Sequence, residues 1–124
     1  MAGDKPHPDP WNVAWETAFT RFDKLVPDRP QLAAVRDVIV ALKDMPEVRG
    51  LFIKSTMFTA LITPYSCYPD FSDGRQITID AGPNADSPLV VRHLKDGYDK
   101  SPSEYSFAIA TAATQIAALC RVHL

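Results

Sequence analysis

The sequence predicts an α+β fold, because helix-period segments flank a central region of strand-period segments. Before Pro46, apolar residues recur at helical spacing: Leu32, Val35, Ile39 and Leu42. After Gly50, apolar and threonine positions alternate as in a strand: Phe58, Ala60 and Ile62 against Thr59, Leu61 and Thr63. We therefore expect two N-terminal helices, a four-stranded antiparallel sheet, and a C-terminal helix packed on one face of the sheet.

Length and composition indicate one globular domain. A chain of 124 residues with 46% hydrophobic and 23% charged residues has enough apolar surface for an ordinary core. Three prolines among residues 6–10 predict an extended N-terminal tail over residues 1–9. The single α+β domain then spans residues 10–124.

The first helix is predicted to start at Asp9 and Pro10, with Asp9 as the N-cap and Pro10 in the first turn. One apolar face follows at helical spacing, consisting of Trp11, Trp15, Ala18, Phe22 and Leu25. These aromatic rings would either fill the core or lie in the groove of a partner. A second helix is predicted from the Asp28 to Gln31 capping arrangement to about Met45, because Pro46 ends it.

Four strands are expected next. The first two form a hairpin, with Leu51 to Lys54, a Ser55-Thr56 turn, and Met57 to Thr63. The third runs from Arg75 to Asp80 with Ile77 and Ile79 buried, and the fourth from Leu89 to Lys95 without a clear facing.

The motif Ser101-Pro102-Ser103-Glu104 predicts the start of the last helix, because it offers a hydroxyl cap, a proline at the first position and a reciprocal glutamate. The expected stripe of this helix is Tyr105, Ile109, Ala112, Ile116 and Leu119 or Cys120.

The charge distribution favours a basic partner. The formal net charge is −2, and residues 64–104 hold seven acidic and four basic residues, a balance of −3. Nucleic-acid binding needs clustered lysine and arginine, so this class of partner is not expected. The chain shows no signal-peptide pattern and no apolar stretch of membrane-spanning length, and only Cys67 and Cys120 are cysteines, so we expect a cytoplasmic protein that binds no membrane.

No catalytic, metal-binding or cofactor-binding motif is present in the sequence, so we expect a protein that is not an enzyme and binds no cofactor or metal. Cys67 and His93 are a candidate thiol and base for nucleophilic chemistry, but Asp70 and Asp73 near Cys67 would disfavour its thiolate. The histidines lack HExxH spacing, and the aspartates lack the alternation of a calcium loop. A hydrolase or transferase site would need Cys67, His93 and Asp70 to converge in the fold.

Aromatic and acidic side chains in two predicted loops indicate a protein-binding surface. Tyrosine offers contact area at low entropic cost, and carboxylates steer a basic partner. Alternatively, the rings fold back over the edge of the sheet. The candidate partner-binding residues are Tyr65, Tyr68, Asp70, Phe71, Asp73, Asp96 and Tyr98.

The segment Pro46-Glu47-Val48-Arg49-Gly50-Leu51-Phe52, together with Ser55-Thr56 and Leu61, resembles a pattern in small bacterial α+β proteins. Some such proteins are immunity proteins that neutralise a toxin encoded beside them. The resemblance covers residues 40–80, and the sequence departs from it at Ile53 and at Met57-Phe58, where a proline and a histidine are more usual. It implies a class of role and assigns no individual residue.

These observations favour a non-enzymatic binding module, namely an immunity protein or inhibitor that covers the active site of a toxin with a basic surface. The expected state is a monomer or a homodimer. Two alternatives stay open: a secretion chaperone that binds an unfolded effector as a dimer, and the small hydrolase or transferase described above.

Overall fold

The computed structural model describes residues 9–124, and it has an α+β fold with four helices and a five-stranded antiparallel sheet. The predicted N-terminal tail lies, except for Asp9, outside the described residues. The helices are α1 (Pro10–Leu25), α2 (Leu32–Lys43), the short α3 (Asp70–Asp73) and α4 (Ile109–His123). The strands are β1 (Phe52–Thr56), β2 (Thr59–Thr63), β3 (Gln76–Asp80), β4 (Leu89–Leu94) and β5 (Ser103–Phe107).

The sheet is a simple meander in the order β1-β2-β3-β4-β5, and every neighbouring pair is antiparallel. The pairing continues without a bulge from one strand to the next, so Ile62 lies beside Ile77 and Ile77 beside His93. One face of the sheet carries the apolar residues that pack against α1, α2 and α4. Ile77 and Ile79 lie on this face and are fully buried, as their alternation predicts.

Helix α1 begins where the sequence predicts. The carboxylate of Asp9 accepts a hydrogen bond from the backbone N–H of Trp11 at 3.0 Å, and Pro10 is the first helical residue. The Trp15 ring is fully buried, and its indole N–H donates to the Leu51 carbonyl at 3.0 Å. The apolar face of α1 therefore fills the core, which removes Trp15 from any partner's groove.

Helix α2 is shorter than predicted. It runs from Leu32 to Lys43, and Gln31 at its N-cap makes no side-chain capping bond. Residues 28–31 lie outside the helix, and the N–H of Leu32 donates to the carbonyl of Arg29 at 3.0 Å. The predicted apolar stripe is correct, because Leu32, Val35, Ile39 and Leu42 are all buried.

The hairpin turn lies two residues later than predicted. Thr56 pairs with Thr59, so Met57 and Phe58 form the loop, and Met57 has a φ of 54°. A two-residue hairpin loop needs a left-handed residue to match the twist of its strands, and Met57 supplies it. Ser55 and Thr56 are the last two residues of β1. The β propensity of Ser55 and Thr56 outweighs their turn propensity here.

The sheet has five strands rather than four, because residues 103–107 form β5 where the sequence suggests the first turn of a helix. The capping motif is local, whereas Tyr105 and Phe107 alternate with polar residues and pair with Val91 and Leu89 of β4. Burial of those two rings against the core is available only in the strand. Helix α4 consequently begins at Ile109 rather than near Pro102.

Helix α4 completes the layer that covers the sheet. It contacts α2 on one side and β4 and β5 beneath it, and it buries Ala112, Ile116 and Cys120. The helical layer thus follows the order α1, α2, α4 across the sheet, from β1 to β5. Within residues 9–124, no helix is both long and apolar enough to span a bilayer.

Candidate functional site

Two loops meet at the end of the sheet where β2 and β4 end. The first loop, residues 64–75, joins β2 to β3 and contains α3, and the second, residues 95–102, joins β4 to β5. Because β2 and β4 run in the same direction in this meander, both loops lie at the same end of the sheet. All seven predicted partner-binding residues belong to these two loops, so the fold places them at one end of the molecule.

Direct contacts hold the two loops together. The phenol of Tyr98 donates a hydrogen bond to a carboxylate oxygen of Asp73 at 3.1 Å, and the N–H of Gly97 donates to the carbonyl of Asp73 at 2.9 Å. A Cβ at Gly97 would lie 1.9 Å from the carbonyl oxygen of Ser72, so only glycine permits this approach. The sequence offered no signal for this contact, because the two loops are separated by the whole of β3 and β4.

The second loop also supports itself. One carboxylate oxygen of Asp96 accepts the backbone N–H of Tyr98 at 2.8 Å. The carboxylate of Asp99 accepts the backbone N–H groups of Lys95 and Ser101, each at 3.0 Å, and these bonds lower the pKa of Asp99. Asp96 and Asp99 thus fix the backbone that presents Tyr98.

Two of the predicted aromatic residues fold back onto the protein. Tyr65 is half-buried, and its hydroxyl accepts a hydrogen bond from the Arg75 guanidinium at 3.0 Å. Phe71 is also half-buried, and the Lys54 ammonium lies 5.3 Å from the centre of its ring. These two rings form the base of the loop rather than its contact surface.

Two tyrosines remain available to a partner. Tyr68 is 75% exposed and Tyr98 is 74% exposed, whereas most aromatic rings of the described chain are at least half-buried. The Tyr68 ring meets the edge of Phe71 with their centres 5.8 Å apart, which holds it in position on the surface. We name the surface formed by Tyr68, Asp70, Asp73, Asp96 and Tyr98 the acidic tyrosine surface.

The carboxylates of this surface are not neutralised by neighbouring cations. In the described part of the chain, no lysine, arginine or histidine nitrogen lies within 4 Å of a carboxylate oxygen of Asp70, Asp73 or Asp96. The hydrogen bond to Asp73 raises the pKa of Tyr98, so the phenol stays protonated and continues to donate to Asp73. The surface therefore presents negative charge beside two exposed rings.

The residues of the alternative enzymatic hypothesis have separate environments. Cys67 is exposed in the first loop, where its thiol lies 3.5 Å from the Ser66 hydroxyl. His93 lies on the helix-facing side of β4, and its ring stacks on His123 of α4 with their centres 3.9 Å apart. No hydrogen bond between Cys67 and His93 occurs among residues 9–124. Cys67 and His93, both within the described residues, thus form no hydrogen-bonded thiol–imidazole pair of the kind that nucleophilic catalysis uses.

A groove beside α1 and the distribution of metal-ligating side chains bear on where a small ligand or metal could bind. A groove of about 480 Å³ lies between α1 and β1, and it is lined mainly by apolar atoms of residues such as Val13, Phe52 and Phe71. No group of three or more metal-ligating side chains is clustered within residues 9–124.

Comparisons with protein-family models, with curated proteins and with solved structures give no match to this chain.

Proposed function

We propose that the protein is a non-enzymatic binding module whose acidic tyrosine surface covers the basic active site of a bacterial toxin, as an immunity protein does. The observation that supports this proposal is the direct contact between the two loops, in which Tyr98 and Gly97 both bind Asp73. Residues far apart in sequence, Asp70 and Asp73 on one loop and Asp96 and Tyr98 on the other, share one exposed surface. A surface fixed in advance binds with a smaller loss of conformational entropy.

The chemistry of the surface suits a partner rich in lysine and arginine. Unpaired carboxylates accelerate the encounter with a basic protein, and exposed tyrosines supply the buried contacts that slow dissociation. A basic catalytic cleft is the part of a nuclease or similar toxin that offers such a surface. The resemblance of residues 40–80 to small bacterial immunity proteins favours the same role.

Coexpression with the product of the neighbouring gene tests the proposal. We expect the two proteins to copurify, and we expect this protein to restore the growth of cells that express the neighbouring gene product. The variant carrying Asp70→Asn, Asp73→Asn and Tyr68→Ala should lose the rescue. The variant Asp44→Asn, at an exposed aspartate just after α2, should retain it.

Two outcomes would contradict the proposal. One is the absence of both a complex and a rescue when both proteins are soluble. The other is full rescue by the triple variant with its circular dichroism unchanged, because the contact would then lie elsewhere on the protein.

A further inference from the structure

The two edges of the sheet differ in their protection. At β1, helix α1 packs beside the strand, the Trp15 indole binds the Leu51 carbonyl at 3.0 Å, and only Thr56 of the strand is exposed. At β5, Glu104 and Ser106 are both exposed. An uncovered edge strand is a template for another strand, so natural sheets usually cover or charge it.

The register shows which backbone groups of β5 are free. Thr56 and Thr59 flank a two-residue loop, so they form a hydrogen-bonded pair. Because the pairing has no bulge, hydrogen-bonded and non-hydrogen-bonded pairs alternate regularly across all five strands. It follows that the backbone N–H and C=O groups of Tyr105 bond to β4. The same groups of Glu104 and Ser106 point away from the sheet.

The flank of α4 next to this edge is uncharged. Helix α4 buries Ala117 and Cys120 and contacts α2 and residues 46–48 on one side, and its His123 stacks on His93 of β4. The opposite flank, above the β5 edge, therefore carries Thr111, Gln115 and Val122, and Val122 is 71% exposed. By contrast, the exposed sides of α1 and α2 carry charged residues, namely Glu16, Arg21, Asp23, Lys24 and Asp37.

We propose that a second copy of this chain binds here, with the two β5 strands pairing antiparallel about a twofold axis at Tyr105. In this register Glu104 of each copy lies opposite Ser106 of the other, and each such pair exchanges two backbone hydrogen bonds. Centring the axis on Glu104 would place two carboxylates opposite each other, which is unfavourable. The result is a continuous ten-stranded sheet with all the helices on one face.

Charge and spacing are compatible with self-association. The guanidinium of Arg92 binds the Glu104 carboxylate at 2.8 Å, so the edge strand bears little net charge. Strands lie about 4.8 Å apart, so α4 above β4 and β5 would lie about 10 Å from its twofold mate. Helices pack at about that separation.

The proposed dimer interface is small, so we expect the dimer to be weak. A five-residue strand and one flank of α4 offer roughly 400 Å² from each copy, which is below the size of a standard interface. We therefore expect a weak, reversible dimer with a dissociation constant on the order of 10 µM. Because the strands are antiparallel, the acidic tyrosine surfaces lie toward opposite ends of the extended sheet and stay free.

Sedimentation velocity over a concentration series tests the proposal. Ser106→Pro removes a free N–H without touching the β4 pairing, and Val122→Lys places charge in the interface. Each should weaken the dimer at least tenfold, while Val40→Lys, at an exposed valine of α2, should leave it unchanged. A wild-type protein that stays monomeric up to roughly 500 µM, far above the expected range, or a dimer that all three variants affect equally, would overturn the proposal.

Disulfide trapping tests the register independently, in a Cys67→Ser background. Two copies of Tyr105→Cys should cross-link under mild oxidation, because opposite non-hydrogen-bonded residues have Cα atoms about 4.5 Å apart. Ser103→Cys should not cross-link, since Ser103 lies opposite Phe107 of the other copy. Equal cross-linking of both variants, or of Ser103→Cys alone, would overturn the proposed register.

Discussion

At the scale of single residues, Tyr68 is the side chain in the acidic tyrosine surface best suited to anchor a partner. Its ring is 75% exposed, and its contact with Phe71 fixes its direction before binding. A large ring that is already ordered gains contact area at little entropic cost.

Replacing Tyr68 by Ala should therefore speed the dissociation of the complex with the proposed toxin partner. The loss of one anchor corresponds to about 2 kcal/mol, or roughly a thirtyfold change in the dissociation constant. Surface plasmon resonance should place most of this change in the dissociation rate. An unchanged dissociation rate in a natively folded variant would move the anchor to another residue.

His93, whose ring stacks on His123, makes stability depend on pH. Burial lowers the pKa of His93 below 6.5, and the neighbouring His123 and Lys95 also lower it, while Asp99 opposes them. The unfolded chain thus binds more protons than the folded protein as pH falls through 6.5, so this histidine makes the folded state less stable there.

We expect the free energy of unfolding to fall between pH 7.5 and 5, and to fall less in the variant His93→Gln. Urea denaturation at several pH values measures both slopes. The variant comparison isolates His93 from the carboxylates that titrate at lower pH. Parallel curves for the two proteins would show that the His93 pKa is not shifted by folding.

At the scale of elements, local sequence signals predicted the start of α1 and the buried face of α2, but not the starts of α2 and α4 or the fifth strand. The Asp9 cap and the stripe from Leu32 to Leu42 depend on neighbours within a few residues, and both are correct. The capping motif at Ser101 is also local, but pairing of Tyr105 with β4 outweighs it. A motif that fits two structures is decided by the tertiary contacts, which a single sequence does not show.

The candidate site, too, could be predicted from the sequence only in part. Loop residues such as Tyr68, Asp70 and Tyr98 were identifiable from composition alone, because all three lie in runs rich in turn residues. The joining of the loops through Asp73 was not predictable, because it depends on the order of strands in the sheet. Nor did the sequence distinguish exposed Tyr68 from half-buried Tyr65.

The close contact between the two loops leads to a prediction at this scale. Replacing Gly97 by Ala places a methyl group against the Ser72 carbonyl, so the loops must separate, at a cost of about 1–3 kcal/mol. Chemical denaturation measures that cost. Heteronuclear NMR should show shifted resonances in both loops and little change in α1.

Gly50→Ala is the matched control for this variant. Gly50 has a φ of 81°, but no atom lies within 4 Å of the place that a Cβ would occupy, so its substitution strains the backbone without separating the loops. If Gly97→Ala left the resonances of residues 70–73 unchanged, the two loops would not be coupled in solution.

At the scale of the whole molecule, charge is unevenly distributed. Asp80 and Glu104 on the outer face of the sheet both contact Arg92, whereas Asp70, Asp73 and Asp96 contact no cation within the described chain. The long-range field of the molecule should thus be most negative at the end that carries the acidic tyrosine surface.

The variant with Asp70→Asn and Asp73→Asn should associate with the proposed toxin partner about tenfold more slowly at low salt, and the rate should depend less on salt. Asparagine at position 73 still accepts the Tyr98 hydroxyl, so the loops should stay joined. Stopped-flow association over a range of salt concentrations measures the effect, with Asp44→Asn as the control. Equal salt slopes for all three proteins would show that these loops do not steer the encounter.

The different burial of the two cysteines gives the native chain a chemical handle. Burial raises the pKa of Cys120 to about 12, whereas Cys67 is exposed one residue before Tyr68. A maleimide fluorophore should therefore attach once per folded chain, at Cys67, and a second time only after unfolding. The native chain therefore needs no engineered cysteine to become a binding sensor. The emission of a fluorophore at Cys67 should change when a partner covers the neighbouring Tyr68.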